Sequence, residues 1–164
     1  MISRITNGRL SRIQKEIIKD DQFKEVRYYK DQMLHGEAIR YLNNHQEVFF
    51  YVNGSVQGEA TITYNNGDVE VVNYINGMRQ GKAIYYDNEG NCEIHFLYKD
   101  DEMLTSATVY YKNGDYEETN YIRGACDGST TYHYASGDVE EWIYVDSIRQ
   151  GKSTYLDKNN DKEE

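Results

Sequence analysis

A phrase returns along this chain about every 23 residues: Tyr, any residue, Asn or Asp, Gly, three residues, Gly, eight residues, Gly, Asp or Asn, any residue, Glu. Tyr29, Tyr51, Tyr74, Tyr98, Tyr121 and Tyr144 open the copies. A second column holds Gly36, Gly58, Gly81, Gly128 and Gly151, with Thr105 as its exception. A third holds Gly67, Gly90, Gly114 and Gly137, with His45 and Asn160 in the outer copies. Self-similarity at this period marks a repeat array, in which each copy is one supersecondary unit packed on its neighbours. The expectation is one elongated body, not a globule with a cleft.

The segment Gly58 to Tyr74, GEATITYNNGDVEVVNY, shows what the unit is. Two runs rich in Thr, Tyr, Val and Ile flank Asn66-Gly67, and Asn-Gly between alternating runs is a hairpin signal because a type I′ turn needs positive φ at both central residues. Asn113-Gly114, Ser136-Gly137 and Glu89-Gly90 repeat it. The other turn centres on Asn53-Gly54, Asn76-Gly77 and Arg123-Gly124 and runs on to the next glycine column. Proline, which removes a ladder hydrogen bond, is absent. The fold class is therefore all-β: a single-layer antiparallel sheet of about six stacked hairpins. A two-residue turn at Asn66-Gly67 pairs Asn65 with Asp68, Tyr64 with Val69, Ile62 with Val71 and Ala60 with Asn73. On the other side it pairs Thr63 with Glu70, Thr61 with Val72 and Glu59 with Tyr74. A small residue recurs two places after the middle glycine (Ala38, Ala60, Ala83, Ala107, Ser153), as a tight spot beneath an aromatic ring requires. The fourth copy carries one extra residue, placed between Glu93 and Thr105 by the column count.

Residues 1–24 form an N-terminal cap, 25–162 the repeat array and 163–164 a frayed tail. In the cap, Ser11 with Gln14 resembles a capping box, and Leu10, Ile13 and Ile17 share one helical face. A short helix over 11–20 is expected, with a worn seventh repeat as the alternative. Cys92 and Cys126 fit no metal or redox spacing and are read as free thiols. The opening MISRITNGRL has no apolar signal core, so a cytoplasmic location is expected.

Charge is uneven: net +3 in residues 1–24 against −13 in 25–164. A body this acidic repels phosphate, so nucleic acid is not expected as a partner and a membrane surface is disfavoured by charge. A basic protein is favoured. The same charge also serves to keep sheet edges apart.

The phrases YYKNGDYEETNYIRG (Tyr110 to Gly124) and YNNGDVEVVNYINGMRQGKA (Tyr64 to Ala83) resemble MORN repeats. They resemble more closely a bacterial-type variant typified by the YwqK antitoxin family. MORN units proper carry Tyr-x-Gly-x-Trp ahead of the turn. Here Glu70, Glu117 and Glu140 stand at the Tyr, while Val72, Thr119 and Trp142 replace the Gly. The resemblance covers residues 25 to 157. It implies stacked hairpins acting by protein contact, and an antitoxin or immunity role in which the chain occludes a basic toxin domain. The rival reading is a structural scaffold that organises other proteins, near a membrane in some relatives.

No catalytic motif is present, and His35, His45, His95 and His133 occupy four different columns, so neither an enzyme nor a cofactor is expected. The candidate partner-binding residues fall in two groups. Asp68/Glu70, Asn91/Glu93, Asp115/Glu117 and Asp138/Glu140 recur at every hairpin, each pair two residues apart and so on one face. They are read either as turn chemistry or as an acidic docking ladder. Two carboxylates per site fall short of the six to eight oxygens that calcium takes, so no metal site is expected. The second group, Tyr74, Tyr121, Tyr144 and Trp142 with Val72 and Phe49, is assigned to the opposite face, as mutual packing or as an aromatic contact surface.

Overall fold

The computed structural model describes residues 2–6, 9–122, 125–159 and 162–163, and the side chains of residues 13–121 and 125–159. The described residues are strand and turn with no helix. The chain divides into two units, residues 1–81 and 82–164.

The first unit runs β1 (Ile2–Thr6), β2 (Arg9–Lys19), β3 (Phe23–Lys30), β4 (Met33–Leu34), β5 (Gly36–Leu42), β6 (His45–Val52), β7 (Ser55–Val56), β8 (Gly58–Tyr64), β9 (Val69–Ile75) and β10 (Met78–Arg79). The second runs β11 (Gly81–Tyr86), β12 (Cys92–Lys99), β13 (Glu102–Tyr111), β14 (Tyr116–Ile122), β15 (Ala125–His133), β16 (Val139–Val145), β17 (Ile148–Leu156) and β18 (Lys162–Glu163). Within each unit successive strands pair antiparallel, and the extensive contacts run between hydrogen-bonded neighbours, so each unit is one layer of sheet. The helix expected over 11–20 is not seen. That segment lies in β2, whose Ile13 to Lys19 pair with Lys30 to Lys24 of β3.

The two turns of the repeat are the reverse of the expectation. The two-residue type I′ turn lies at Asn53-Gly54 (φ 50° and 88°) and Asn76-Gly77 (54° and 84°). Asp31-Gln32, Asp100-Asp101 and Asp146-Ser147 adopt the same positive φ values without glycine. A bulge follows each such turn, where the second glycine column sits. Between Tyr51↔Val56 and Val48↔Thr61 the register of β6 slips by two residues, and Gly58, at φ 79°, occupies the slip. A glycine there avoids the steric cost of a Cβ at positive φ.

The loop at Asn66-Gly67 has three residues, not two. Tyr64 N–H donates to Asp68 O (2.9 Å) and Gly67 N–H to Tyr64 O (2.9 Å), and in this loop the positive φ falls on Gly67 alone. The pairing is therefore Thr63 with Val69, Ile62 with Glu70, Thr61 with Val71, Ala60 with Val72 and Glu59 with Asn73, one residue away from the expected register. The strand twist that favours I′ turns in two-residue loops is met here by a type I turn followed by a glycine bulge.

Each unit has a closed and an open face. In the first unit the closed face carries Glu25, Ala38, Phe49, Tyr51, Ala60, Ile62, Asp68, Glu70 and Val72, all buried. In the small-residue column Ala38 is buried opposite Phe49 and, in the second unit, Ala107 opposite Phe96, as expected, whereas buried Ala60 lies opposite Val72 and Ser153 is only half-buried.

Candidate functional site

Period-two alternation puts residues 68, 70, 72 and 74 of one strand on one face. The aromatic column therefore lies beside the carboxylates, not opposite them as expected. Trp142 likewise follows Asp138 and Glu140 on its strand, and Tyr121 and Tyr144 follow in step. Thr130, directly opposite Trp142, is buried with it.

The carboxylates are held by tyrosines. Tyr64 OH donates to Glu70 Oε2 at 2.7 Å, Tyr134 OH to Glu140 Oε2 at 2.9 Å, and Tyr111 bonds Glu117. In each case the tyrosine lies six residues ahead, at the end of the preceding strand of the same hairpin or, for Tyr134, one residue past it. The aspartates reach the next hairpin instead. Asp115 accepts from Ala135 N–H (2.8 Å) and Tyr132 OH (2.7 Å). Asp138 accepts from Lys158 N–H (3.0 Å), Ser136 OH (2.7 Å) and Tyr155. Asp68 and Glu70 are 7% and 6% exposed. The glutamates thus tie the two sides of one hairpin, Asp115 and Asp138 tie hairpin to hairpin, and little of Asp68 or Glu70 faces solvent.

The staples move the titrations. The Ala135 amide and Tyr132 hold Asp115 below the usual carboxylate range, and Ser136, Tyr155 and the Lys158 amide do the same for Asp138. Glu140 is lowered by Ser153, Tyr134 and Arg149. Glu117, where burial outweighs the Tyr111 hydrogen bond, is raised. Tyr132 is pushed up to about 12 by burial and its bond to Asp115, and Tyr155 to about 12 by its bond to Asp138.

The fourth copy breaks the row. Its loop is one residue longer, since Asp87 N–H reaches Cys92 O (3.2 Å). The extra residue thus falls in the 88–91 loop, not between Glu93 and Thr105. Cys92, Ile94 and Phe96 then pair with Tyr111, Val109 and Ala107 on the closed face, at the places held by Asp68, Glu70 and Val72 in the copy before and by Asp115, Glu117 and Thr119 in the copy after. Glu93 turns to the open face beside His95 (3.3 Å), and Asn91 stays in the loop, bonded to Glu89. An apolar hollow of about 390 Å³ opens here between Tyr85, Ile94, Phe96, Met103, Ala107 and Tyr121.

In the first unit an ionic chain continues the closed face. Arg27 Nε donates to Glu16 (2.8 Å), Arg40 Nε to Glu25 (2.9 Å) and Arg40 Nη1 to Glu47 (3.1 Å). Tyr51 OH adds a bond to buried Glu25 (3.3 Å). No His, Cys, Asp and Glu group among the described residues is arranged to hold a metal ion.

The open face of the first unit was not singled out by the sequence. Alternation sends Met33, Phe50, Val52, Ile75 and Met78 there, grouped around three successive I′ turns. Phe50, Val52 and Ile75 are 45%, 44% and 50% exposed. The turns are locked to one another: Gly54 N–H donates to Leu34 O (2.8 Å) and Gly77 N–H to Val56 O (2.9 Å). Exposed Glu37 lies directly across from Phe50, and exposed Glu59 is on the same face. The sequence signal was present, since Phe-x-Val and Ile-x-x-Met flank the turns at alternate positions.

No family model matches the chain, and no curated protein matches it.

Proposed function

We propose that this chain is a non-enzymatic, MORN-type protein-binding module, and that its partner carries an apolar patch rimmed by basic residues. The observation that carries this is the exposed strip of Met33, Phe50, Val52, Ile75 and Met78 on a locked row of turns. The first unit buries Glu25, Asp68 and Glu70 while it exposes Phe50, Ile75 and Met78, and such exposed apolar patches mark contact sites. On the strip's own face Glu37 and Glu59 are answered by exposed Lys30, directly across from Met33, so the preference for a basic partner rests on the net charge of −10. The Tyr-x-Asn-Gly phrase and this charge together support an antitoxin or immunity role in the cytoplasm, the chain covering a cleft that otherwise receives phosphate. A scaffold role is the second reading, supported by the same strip without the charge argument.

The test is capture of partners from native lysate on the wild-type chain and on Phe50→Asp and Ile75→Asp variants. A basic protein retained by the wild type, lost by at least tenfold from folded variants, and silenced as an enzyme in the complex is the expected result. A partner that stays fully active when bound favours the scaffold. Equal capture by all three chains overturns the assignment of the strip.

A further inference from the structure

On the open face of the second unit, alternation lines up a band of small polar side chains. His95 and Leu97 come from β12, Ser106 and Thr108 from β13, Glu118 and Asn120 from β14, and Ser129 and Thr131 from β15, with Lys82 of β11 at the side. They line a groove of about 500 Å³. It spans three strand spacings, ~14 Å. At one end a run of ring contacts begins: His95 tilted against Tyr110 (4.7 Å), Tyr110 stacked on Tyr116 (5.9 Å), and Tyr116 flat on His133 (4.2 Å, 7°). The Nε2 of His133 is buried with no hydrogen-bond partner among the described residues, 3.7 Å from the Glu118 carboxylate that lines the groove.

The chemistry of this lining selects among ligands. A peptide added as a strand needs an open sheet edge, and β12, β13, β14 and β15 are each paired on both sides. Phosphate or sulfate recognition rests on clustered cations, whereas Lys82 is the one Lys or Arg among the described lining residues and Glu118 opposes it. Asn120 Nδ2 already reaches Ser129 O and Oγ (3.3 and 3.4 Å), but a purely apolar ligand would still strip water from the Ser106, Thr108 and Thr131 hydroxyls without replacing it. Hydroxyl side chains both donate and accept, and the Asn120 amide does each with a different atom, so the band matches a neutral ligand covered in hydroxyls. The C–H faces of such a ligand find Leu97, 44% exposed within the groove, and Tyr110, 43% exposed at its end. We propose that this groove binds a neutral oligosaccharide.

The experiment is saturation-transfer NMR on the full chain with maltotriose, cellotriose, mannotriose and N,N′,N″-triacetylchitotriose at millimolar concentration. Saturation of ring protons of at least one of them is expected. Asn120→Ala and Thr108→Val should weaken that binding tenfold or more. Ser106→Ala, at an exposed position, serves as the variant whose folding is not in question and should weaken it at least threefold. Equal melting transitions establish that the fold is retained. No transfer to any of the four sugars, or transfer untouched by the folded variants, overturns the proposal. Saturation of a serine-rich or basic peptide, with none of any sugar, overturns it equally.

Discussion

A tyrosine hydroxyl beside a carboxylate stabilises the ionised acid and the neutral phenol together, so each staple ties stability to pH from both sides. Asp115, Asp138 and Glu140 have lowered values in the folded chain. Their contribution is present above the ordinary carboxylate range, about 4, and is lost as pH falls through the lowered values. Glu117 is raised and works in the opposite sense, giving back part of that loss on acidification. Tyr132 and Tyr155 are raised to about 12, so their contribution is present below the ordinary phenol value, about 10, and is lost as pH rises through about 12. The urea midpoint should therefore fall below about pH 4 and again above about pH 10. Asp115→Asn should flatten the acid limb and Tyr132→Phe part of the alkaline one. A midpoint constant from pH 5 to pH 3 would show that the staples carry no linkage.

At the scale of the hairpin, the two kinds of turn divide the glycines between them. I′ turns require positive φ at two successive residues, and Asp31-Gln32 meets this with two residues that carry a Cβ. A left-handed residue other than glycine costs about 1–2 kcal/mol, offset in part by the extra freedom glycine has when unfolded, about 0.5–1 kcal/mol. Gln32→Gly should therefore stabilise the chain by about 0.5 kcal/mol, read as a raised urea midpoint at unchanged slope. A lowered midpoint would mean that the Gln32 side chain makes a contact worth more than its strain. The turn chemistry also marks how far the sequence can be read. Fold class, strand pairing and the two glycine columns follow from the recurring Asn-Gly pairs and alternation. Register does not, because Asn66-Gly67 is compatible with both a two- and a three-residue loop, and one residue of difference moves Glu70 from facing Thr63 to facing Ile62. The carboxylate row was visible at 68, 70, 115, 117, 138 and 140, but its role depended on tyrosines six and seventeen residues away. Asn91 and Glu93 left the row because a loop insertion is silent in a column count. The N-terminal segment reads equally as period 3.6 or as alternation over so few apolar positions, and pairing with β3 decided for strand.

Across the whole molecule, stability is a sum over neighbours, so what can be removed is set by which side chains then meet. Deleting residues 115–137 joins Gly114 to Asp138. Asp138 then takes the place of Asp115, Glu140 that of Glu117 beneath Tyr111, and Tyr144 that of Tyr121. Trp142 takes the place of Thr119 opposite Ala107. That exchange has a precedent in this chain, where Phe49 lies opposite Ala38. The shortened protein should fold with its strand signal intact and a lower midpoint, having lost two strands and one set of staples. Deleting only 115–125 removes one strand. It brings Gly128, whose φ is 100°, to the mid-strand place of Glu117 and leaves Tyr111 without its carboxylate. The faces then no longer match along the hairpin, and the product should aggregate or melt far earlier. Circular dichroism and urea unfolding of the two deletions compare them directly. Similar stability in both would mean that the unit of cooperation is the single strand, and that the tyrosine-carboxylate staples do not set the period of the array.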